Sequence, residues 1–196
     1  MLVLSFSKII PNERMFNIMK STGMVRRIDN LGRIVIPKEI RYTMHIHNGD
    51  PLEIYTDSQG SVIFKKYSPA GELSAFMQQY GEVLSKYLNR PLLICDRDRV
   101  ISAAGISRRE YLKKGITPWV DELMQNRKSY VYNGKSQLKP VEEMNRNAAM
   151  ITPIVASSDV VGAIILLQNG QEEAPSQTEI TLVQVAATFL GNQMEK

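Results

Sequence analysis

Cysteine, tryptophan and histidine are almost missing from this chain, whose 196 residues hold one Cys, one Trp and two His. A single cysteine excludes an intrachain disulfide, so nothing asks for an oxidising compartment and a cytoplasmic location is expected. His45 and His47 stand two apart, which on a helix points them to different faces, and no cysteine or carboxylate set completes a zinc site beside them, so no metal is expected. The longest apolar run, around Val160 to Leu167, falls far short of the roughly 20 residues that span a bilayer. The opening MLVLSFSKII has neither a leading basic region nor a small-residue cleavage site, which argues against a signal peptide, and residues 1–18 are read as an extension of no fold value.

Catalytic signatures are missing as well: the chain has no Walker loop, no GxSxG, no HExxH and no GxGxxG. Cys95 ends an apolar strand far along the chain from both histidines, and it reads as a small core residue, not a nucleophile. Glu142 and Glu143 fall in a polar loop, where solvated charge is expected. The reading is therefore of a protein with no catalytic residues and no cofactor, and not of an enzyme.

What is present is ordinary in bulk and uneven in placement. A hydrophobic content of 43% with 22% charged residues is that of a soluble globular protein, and the length allows one large domain or two small ones. Through Ser68 there are ten Lys or Arg against six Asp or Glu, and from Pro69 onward fourteen of each, so the whole net charge of +4 lies in the first third. A basic domain joined to a neutral one suggests a polyanionic partner.

Leu31 to Arg41, LGRIVIPKEIR, is the densest stretch. Asn30-Leu31-Gly32 predicts a chain reversal, with Gly32 free to take a positive φ, and it leaves Arg33 projecting just past the bend. The β-branched run Ile34-Val35-Ile36 predicts a brief buried strand, and Pro37 to about Met44 a short helix with Ile40 and Met44 inward and Arg41 outward. Lys20 to Asp29 reads as a preceding strand. Leu52–Tyr55 and Val62–Lys65 read as a hairpin with Leu52, Ile54, Val62 and Phe64 on one inner face. A first domain of about 50 residues buries too little for comfortable stability alone, so dimerisation is expected on physical grounds.

Ser68 to Gly71 reads as a linker in which Ser68 caps a helix opening at Pro69, and the apolar stripe from Leu73 to Leu88 carries that helix on. Gly81 interrupts the stripe, and a close helix neighbour would account for it. Strands follow at Leu92–Cys95 and Val100–Ala104, then a short helix boxed by Ser107 and Glu110 and closed by Gly115, and another from Thr117-Pro118 to about Arg127. Ser129–Tyr132 reads as an edge strand, residues 135–147 as a flexible loop, and Met150–Val155 with Val160–Leu167 as an apolar hairpin. A second capping box, Ser176 with Glu179, opens a last helix with apolar residues on two sides, which needs two surfaces to pack on.

GMVRRIDNLGRIVIPKEIR, followed by GDPLEIY and VIFKKY, resembles the DNA-binding half of the AbrB family of bacterial transition-state regulators. From Met19 to Lys196 the chain resembles a sporulation regulator of that family in which an AbrB-like domain precedes a GAF-like one. The resemblance implies an α+β fold: an AbrB-like swapped-hairpin dimeric β-barrel over 19–68, a linker helix over 69–90 and a GAF-like sensory or oligomerisation domain over 91–196. It carries the family's DNA contacts onto Arg26, Arg33 and Arg41, with Lys20 and Arg27 in support. Tyr42 stands where the family often has a second arginine, and it can hydrogen-bond a phosphate or stack but adds no charge. The implied partners are double-stranded DNA, further copies of the chain in a homodimer or homotetramer, and a small molecule of unidentified chemistry in the GAF-like half, with no membrane. The implied process is sporulation control by sequence-specific DNA binding. An antitoxin of a toxin–antitoxin pair is the rival within the same fold. A chain of that kind continues into a short toxin-wrapping tail, whereas this one continues into capped helices and apolar strands. A GAF-type enzyme is a second rival, and the missing catalytic constellation counts against it.

Overall fold

A computed structural model describes residues 21–44, 46–68, 73–170 and 173–195. The expected extension of 1–18, Lys20, His45 and the linker residues Pro69 to Gly71 lie outside them. Contacts divide the chain into two units, one ending at His47 and the other beginning at Asn48.

In the first unit, residues 21–37 form no strand, contrary to the expectation for Lys20–Asp29 and Ile34–Ile36. Val25 is 84% exposed and Val35 is 73% exposed, so the predicted burial is absent too. The reason is that a strand is half of a structure: its backbone groups need a second strand, and no described residue pairs with these. The chain reversal does form. Asp29 N donates to Arg33 O at 3.0 Å, Gly32 N donates to Asp29 O at 3.0 Å, and Gly32 takes a φ of +76°. Helix α1 (Lys38–Thr43) follows with Pro37 as its N-cap, and Arg41 N closes the first turn on Pro37 O at 3.0 Å. Ile40 is half-buried as expected, but Met44 is exposed.

The second unit opens with the antiparallel hairpin β1 (Leu52–Thr56) and β2 (Val62–Lys66), in register with Ile54 opposite Phe64 and Thr56 opposite Val62. Asp57 shapes the turn by accepting from Gln59 N at 2.9 Å and Ser61 N at 2.8 Å. Leu52, Ile54, Val62 and Phe64 share one face as expected, yet Ile54, Val62 and Phe64 stay exposed. Helix α2 (Ser74–Leu88) is N-capped at Leu73, and the Ser68 hydroxyl donates to Asp96 at 3.2 Å; the helix start expected at Ser68-Pro69 falls on residues outside the described ones.

Five antiparallel strands make the sheet: β3 (Leu92–Cys95), β4 (Val100–Ala104), β5 (Tyr130–Val131), β6 (Ala148–Ala156) and β7 (Asp159–Leu167), in the order β4-β3-β7-β6-β5. Both faces are covered, which is why β3 and β7 are apolar on both sides. Leu92, Ile94 and Ile164 face α2 and α5 (Gln177–Met194), packing with Met77, Leu84, Val183 and Leu190. Leu93, Ile151 and Ile165 face the opposite layer of α3 (Arg108–Tyr111) and α4 (Pro118–Gln125), with Tyr111, Val120 and Met124.

Gly81 lies against this sheet and not against a helix: a Cβ there would sit 3.1 Å from Ser102 Oγ and 3.6 Å from the Leu92 and Ile94 methyls. One turn before it, the Gln78 amide acts as a substitute strand for β4, donating to Ala103 O at 3.0 Å and accepting from Ala103 N at 3.3 Å. That covers an otherwise open edge. The expected box at Ser107 does not form, and α3 is a single turn that ends at Tyr111, before Gly115. Tertiary pairing wins there, because Val100 draws the chain away by accepting from Lys113 N at 2.8 Å and donating to Lys114 O at 2.9 Å. The stretch 135–147, expected to be flexible, is irregular but tied down. Val141 is buried and bridged to Ile116, Thr117 N donates to Pro140 O at 3.0 Å, and Tyr130 Oη donates to Ser136 O at 2.6 Å. The second box forms as read, with Ser176 Oγ accepting from Glu179 N and Glu179 accepting from Ser176 N.

Candidate nucleic-acid interface

The basic positions of the first unit sit on the reversal and on α1. Arg26 and Arg27 are exposed on the extended segment before the bend. Arg33 leaves the bend with its side chain 70% exposed, held by a 2.8 Å ion pair from its Nε to Asp29 Oδ2. Arg41 is half-buried on α1, and Tyr42 next to it is 83% exposed, so its ring and hydroxyl are open to a partner. Arginine suits this task because its planar fork meets phosphate oxygens or the O6/N7 edge of guanine with two parallel bonds.

Asp29 escaped the sequence reading, which took it only as the end of a strand. Its carboxylate is held below the ordinary carboxylate range by the Arg33 backbone N–H and then by the Arg33 side chain. The signal was there in Asp29-Asn30-Leu31-Gly32, an acidic residue two ahead of a bend, the pattern in which a carboxylate bonds to the backbone just beyond it.

Elsewhere the chemistry is structural. Cys95 is buried as the sequence predicts, and burial followed by the neighbouring Asp96 charge pushes its thiol up, away from the reactive thiolate. Glu143 is exposed and paired with Lys114 at 2.5 Å. Among the described residues no group of three or more His, Cys, Asp or Glu is placed to hold a metal ion. No described helix is long and apolar enough to cross a membrane. A cavity of about 220 Å³ opens beside the hairpin, lined by Lys66, Asp96, Arg97, Val160 and Met194.

Residues 72–195 match the family described as Stage V sporulation protein T C-terminal, transcription factor, and residues 25–72 match Antidote-toxin recognition MazE, bacterial antitoxin. An α+β chain whose larger part is the C-terminal region of a transcription factor, preceded by an exposed basic loop and helix, belongs to the class of bacterial transcription regulators. More narrowly, it belongs to the stage V sporulation protein T family. The Bacillus subtilis (strain 168) stage V sporulation protein T is 42% identical over 180 residues, covering 91% of this chain and 100% of that protein. The transition state regulatory protein AbrB of the same organism is 57% identical over 51 residues, 26% of this chain and 52% of that protein. Similar solved structures include the N-domain of the transcription factor AbrB, at 57% identity over 26% of this chain and 96% of that one, with a TM-score of 0.24. The cofactor-binding GAF domain of the nutrient sensor CodY from Clostridium difficile is 13% identical over 60% of this chain and 83% of that one, with a TM-score of 0.42.

Proposed function

We propose that this chain is a sequence-specific regulator of transcription in sporulation, cytoplasmic and without enzymatic activity, which binds duplex DNA through residues 19–68. Arg26, Arg33 and Arg41 are its direct contacts, with Lys20, Arg27 and Tyr42 in support. The observation that carries the reading is the exposure of Arg26, Arg27, Arg33 and Tyr42 along one bend and one short helix, in a chain 42% identical over 91% of its length to a sporulation protein. Residues 69–90 act as a linker helix and 91–196 as a GAF-like domain for assembly, for sensing or for both. The cavity beside the hairpin, lined by residues of both this domain and the hairpin, offers room for a small ligand.

A homo-oligomer completes the fold. The strandless segment 21–37 and the exposed Ile54, Val62 and Phe64 are what half of an interleaved barrel would show without its second copy. The antitoxin reading has the match over 25–72 in its favour. It is disfavoured because a five-stranded sheet with helices on both faces stands where a toxin-wrapping tail would be.

Duplex binding measured at several salt concentrations tests the function. Neutralised phosphates release counterions, so the logarithm of affinity should fall linearly with the logarithm of salt, by about 0.9 per phosphate contact. Arg41→Ala should cost about 1–3 kcal/mol if the side chain reads a base, or reduce the slope by about one if it holds a phosphate. Unchanged affinity and slope in that variant would remove Arg41 from the interface.

A further inference from the structure

Asp29 is the one acidic residue at the bend, and an exposed carboxylate close to an arginine meant for DNA calls for an account. Its Oδ1 accepts from the backbone N–H of Leu31 at 3.0 Å and of Arg33 at 2.8 Å, while its Oδ2 accepts from Arg33 Nε at 2.8 Å. Asp57 provides an internal comparison. It makes the same kind of backbone bonds in the β1–β2 turn, to Gln59 and Ser61, with no arginine attached. Shaping a turn therefore needs the first oxygen only, and the second oxygen of Asp29 is committed to the Arg33 side chain.

The grip falls on the side edge of the guanidinium. Its two terminal nitrogens make no hydrogen bond among the described residues, and the side chain stays 70% exposed. Those nitrogens form the edge that pairs bidentately with guanine O6 and N7. A long flexible cation left to itself is drawn to any phosphate, whereas one whose charge is compensated at the side keeps its directed donors but attracts the backbone less.

We propose that Asp29 is a positioning residue for DNA recognition, fixing the Arg33 fork toward a base edge and offsetting its charge so that recognition is favoured over indiscriminate phosphate binding. The inference rests on the reading of Arg33 as a DNA contact.

The test uses the full-length chain, a duplex selected by it from a random library, and a scrambled duplex of equal length. Asp29→Asn keeps an oxygen for the two backbone N–H groups but loses the charged grip on Arg33. Its affinity for the scrambled duplex should rise several-fold, and its preference for the selected duplex should fall about tenfold. Loss of charge alone would raise both affinities together and leave the preference unchanged. In an Arg33→Ala background, Asp29→Asn should have no further effect on the preference. If Arg33→Ala leaves both affinity and preference intact, the DNA-contact reading of Arg33 fails; if it lowers affinity on both duplexes equally, Arg33 holds a phosphate and the base-edge role given to Asp29 is overturned. If Arg33→Ala abolishes the preference while Asp29→Asn retains it, the role given to Asp29 is overturned and Arg33 stands. Should Asp29→Asn fold poorly, Asp29→Ser, which also keeps a short acceptor, carries the same expectations.

Discussion

A methyl group added at Gly191 in α5 would lie 2.0 Å from the carbonyl oxygen of Val155, and one at Gly162 in β7 would lie 2.1 Å from that of Cys95. Neither obstacle is a side chain that could swing aside. Alanine gains about 1 kcal/mol over glycine in a helix interior, but overpacking against fixed backbone costs about 1–3 kcal/mol or more. At 2.0 Å the cost wins, so Gly191→Ala should destabilise the chain by about 2 kcal/mol, read from its urea midpoint. A raised midpoint would mean that α5 moves freely off β6. Glu179, at the other end of the same helix, gives a pH signature. Partial burial pushes its carboxyl up, but the bonds from Ser176 and the Arg90 guanidinium, 2.6 Å away, outweigh it and hold the group below its ordinary value of 4.5. A depressed folded value contributes stability that is full above 4.5 and lost as pH falls through the folded value. Glu179→Gln should accordingly lower Tm at pH 7, and the gap should narrow as pH falls from 4.5 through the depressed folded value. A gap constant from pH 7 to pH 3 would show that the carboxylate charge is not what matters.

At the scale of elements, the β1–β2 hairpin is fixed to the β3–β4 turn by charge. The Asp50 carboxylate, 2% exposed, meets the Arg97 guanidinium and lies 3.7 Å from Lys66 Nζ, and Lys66 in turn sits 2.8 Å from Asp98. Removing Asp50 strands Arg97 but leaves Lys66 with Asp98, so Asp50→Ala should cost about 1–3 kcal/mol, the lower range for a broken buried charge contact. Hydrogen exchange should speed up in the hairpin amides of residues 52–66 and leave the sheet core protected; equal acceleration in both would sink the idea of a local tie. None of this was legible in the sequence, because Asp50 and Arg97 are far apart in it and each looks like solvated charge. Elements whose signals are local were legible: the reversal at Gly32, the hairpin spacing, the Ser176 box and the apolar runs of β3 and β7. Ser107 and Glu110 carry the same box signature and fail, and the helix they precede stops after one turn, since Val100 claims the backbone of Lys113 and Lys114 that would have continued it. Ile34 to Ile36 has the composition of a buried strand without a partner in the described residues, so pattern alone overstated what one chain can bury. At the candidate interface the arginines came forward through the family resemblance, whereas the grip of Asp29 on Arg33 takes a hydrogen-bond geometry that composition does not show.

The whole molecule carries more apolar surface than one chain covers. Around α2 and α5, the rings of Phe76 and Tyr80 lie 6.1 Å apart and those of Tyr80 and Phe189 5.4 Å apart, and Val83, Tyr87, Leu182 and Val185 are exposed. Val185 and Phe189 are one turn apart on one helix face, so they present a single surface. The hairpin separately exposes Ile54, Val62 and Phe64. Two uncovered faces of different make-up suit two layers of assembly, the first joining N-terminal halves into a dimer and the second joining dimers through the helices. Linked DNA-binding dimers would gain affinity for paired sites with no new base contact, by raising the effective concentration of the second dimer once the first is bound. A ligand in the C-terminal half would control that gain only through different affinities for two helix arrangements. The layers separate by substitution in the full-length chain. Wild type should scatter light as a tetramer, Val185→Asp as a dimer that binds one site normally but loses the advantage on paired sites, and Phe64→Asp should lose DNA binding together with its dimeric N-terminal half. A wild type that stays dimeric at every concentration, or a Val185→Asp variant that remains tetrameric, would reject the helix faces as the second layer.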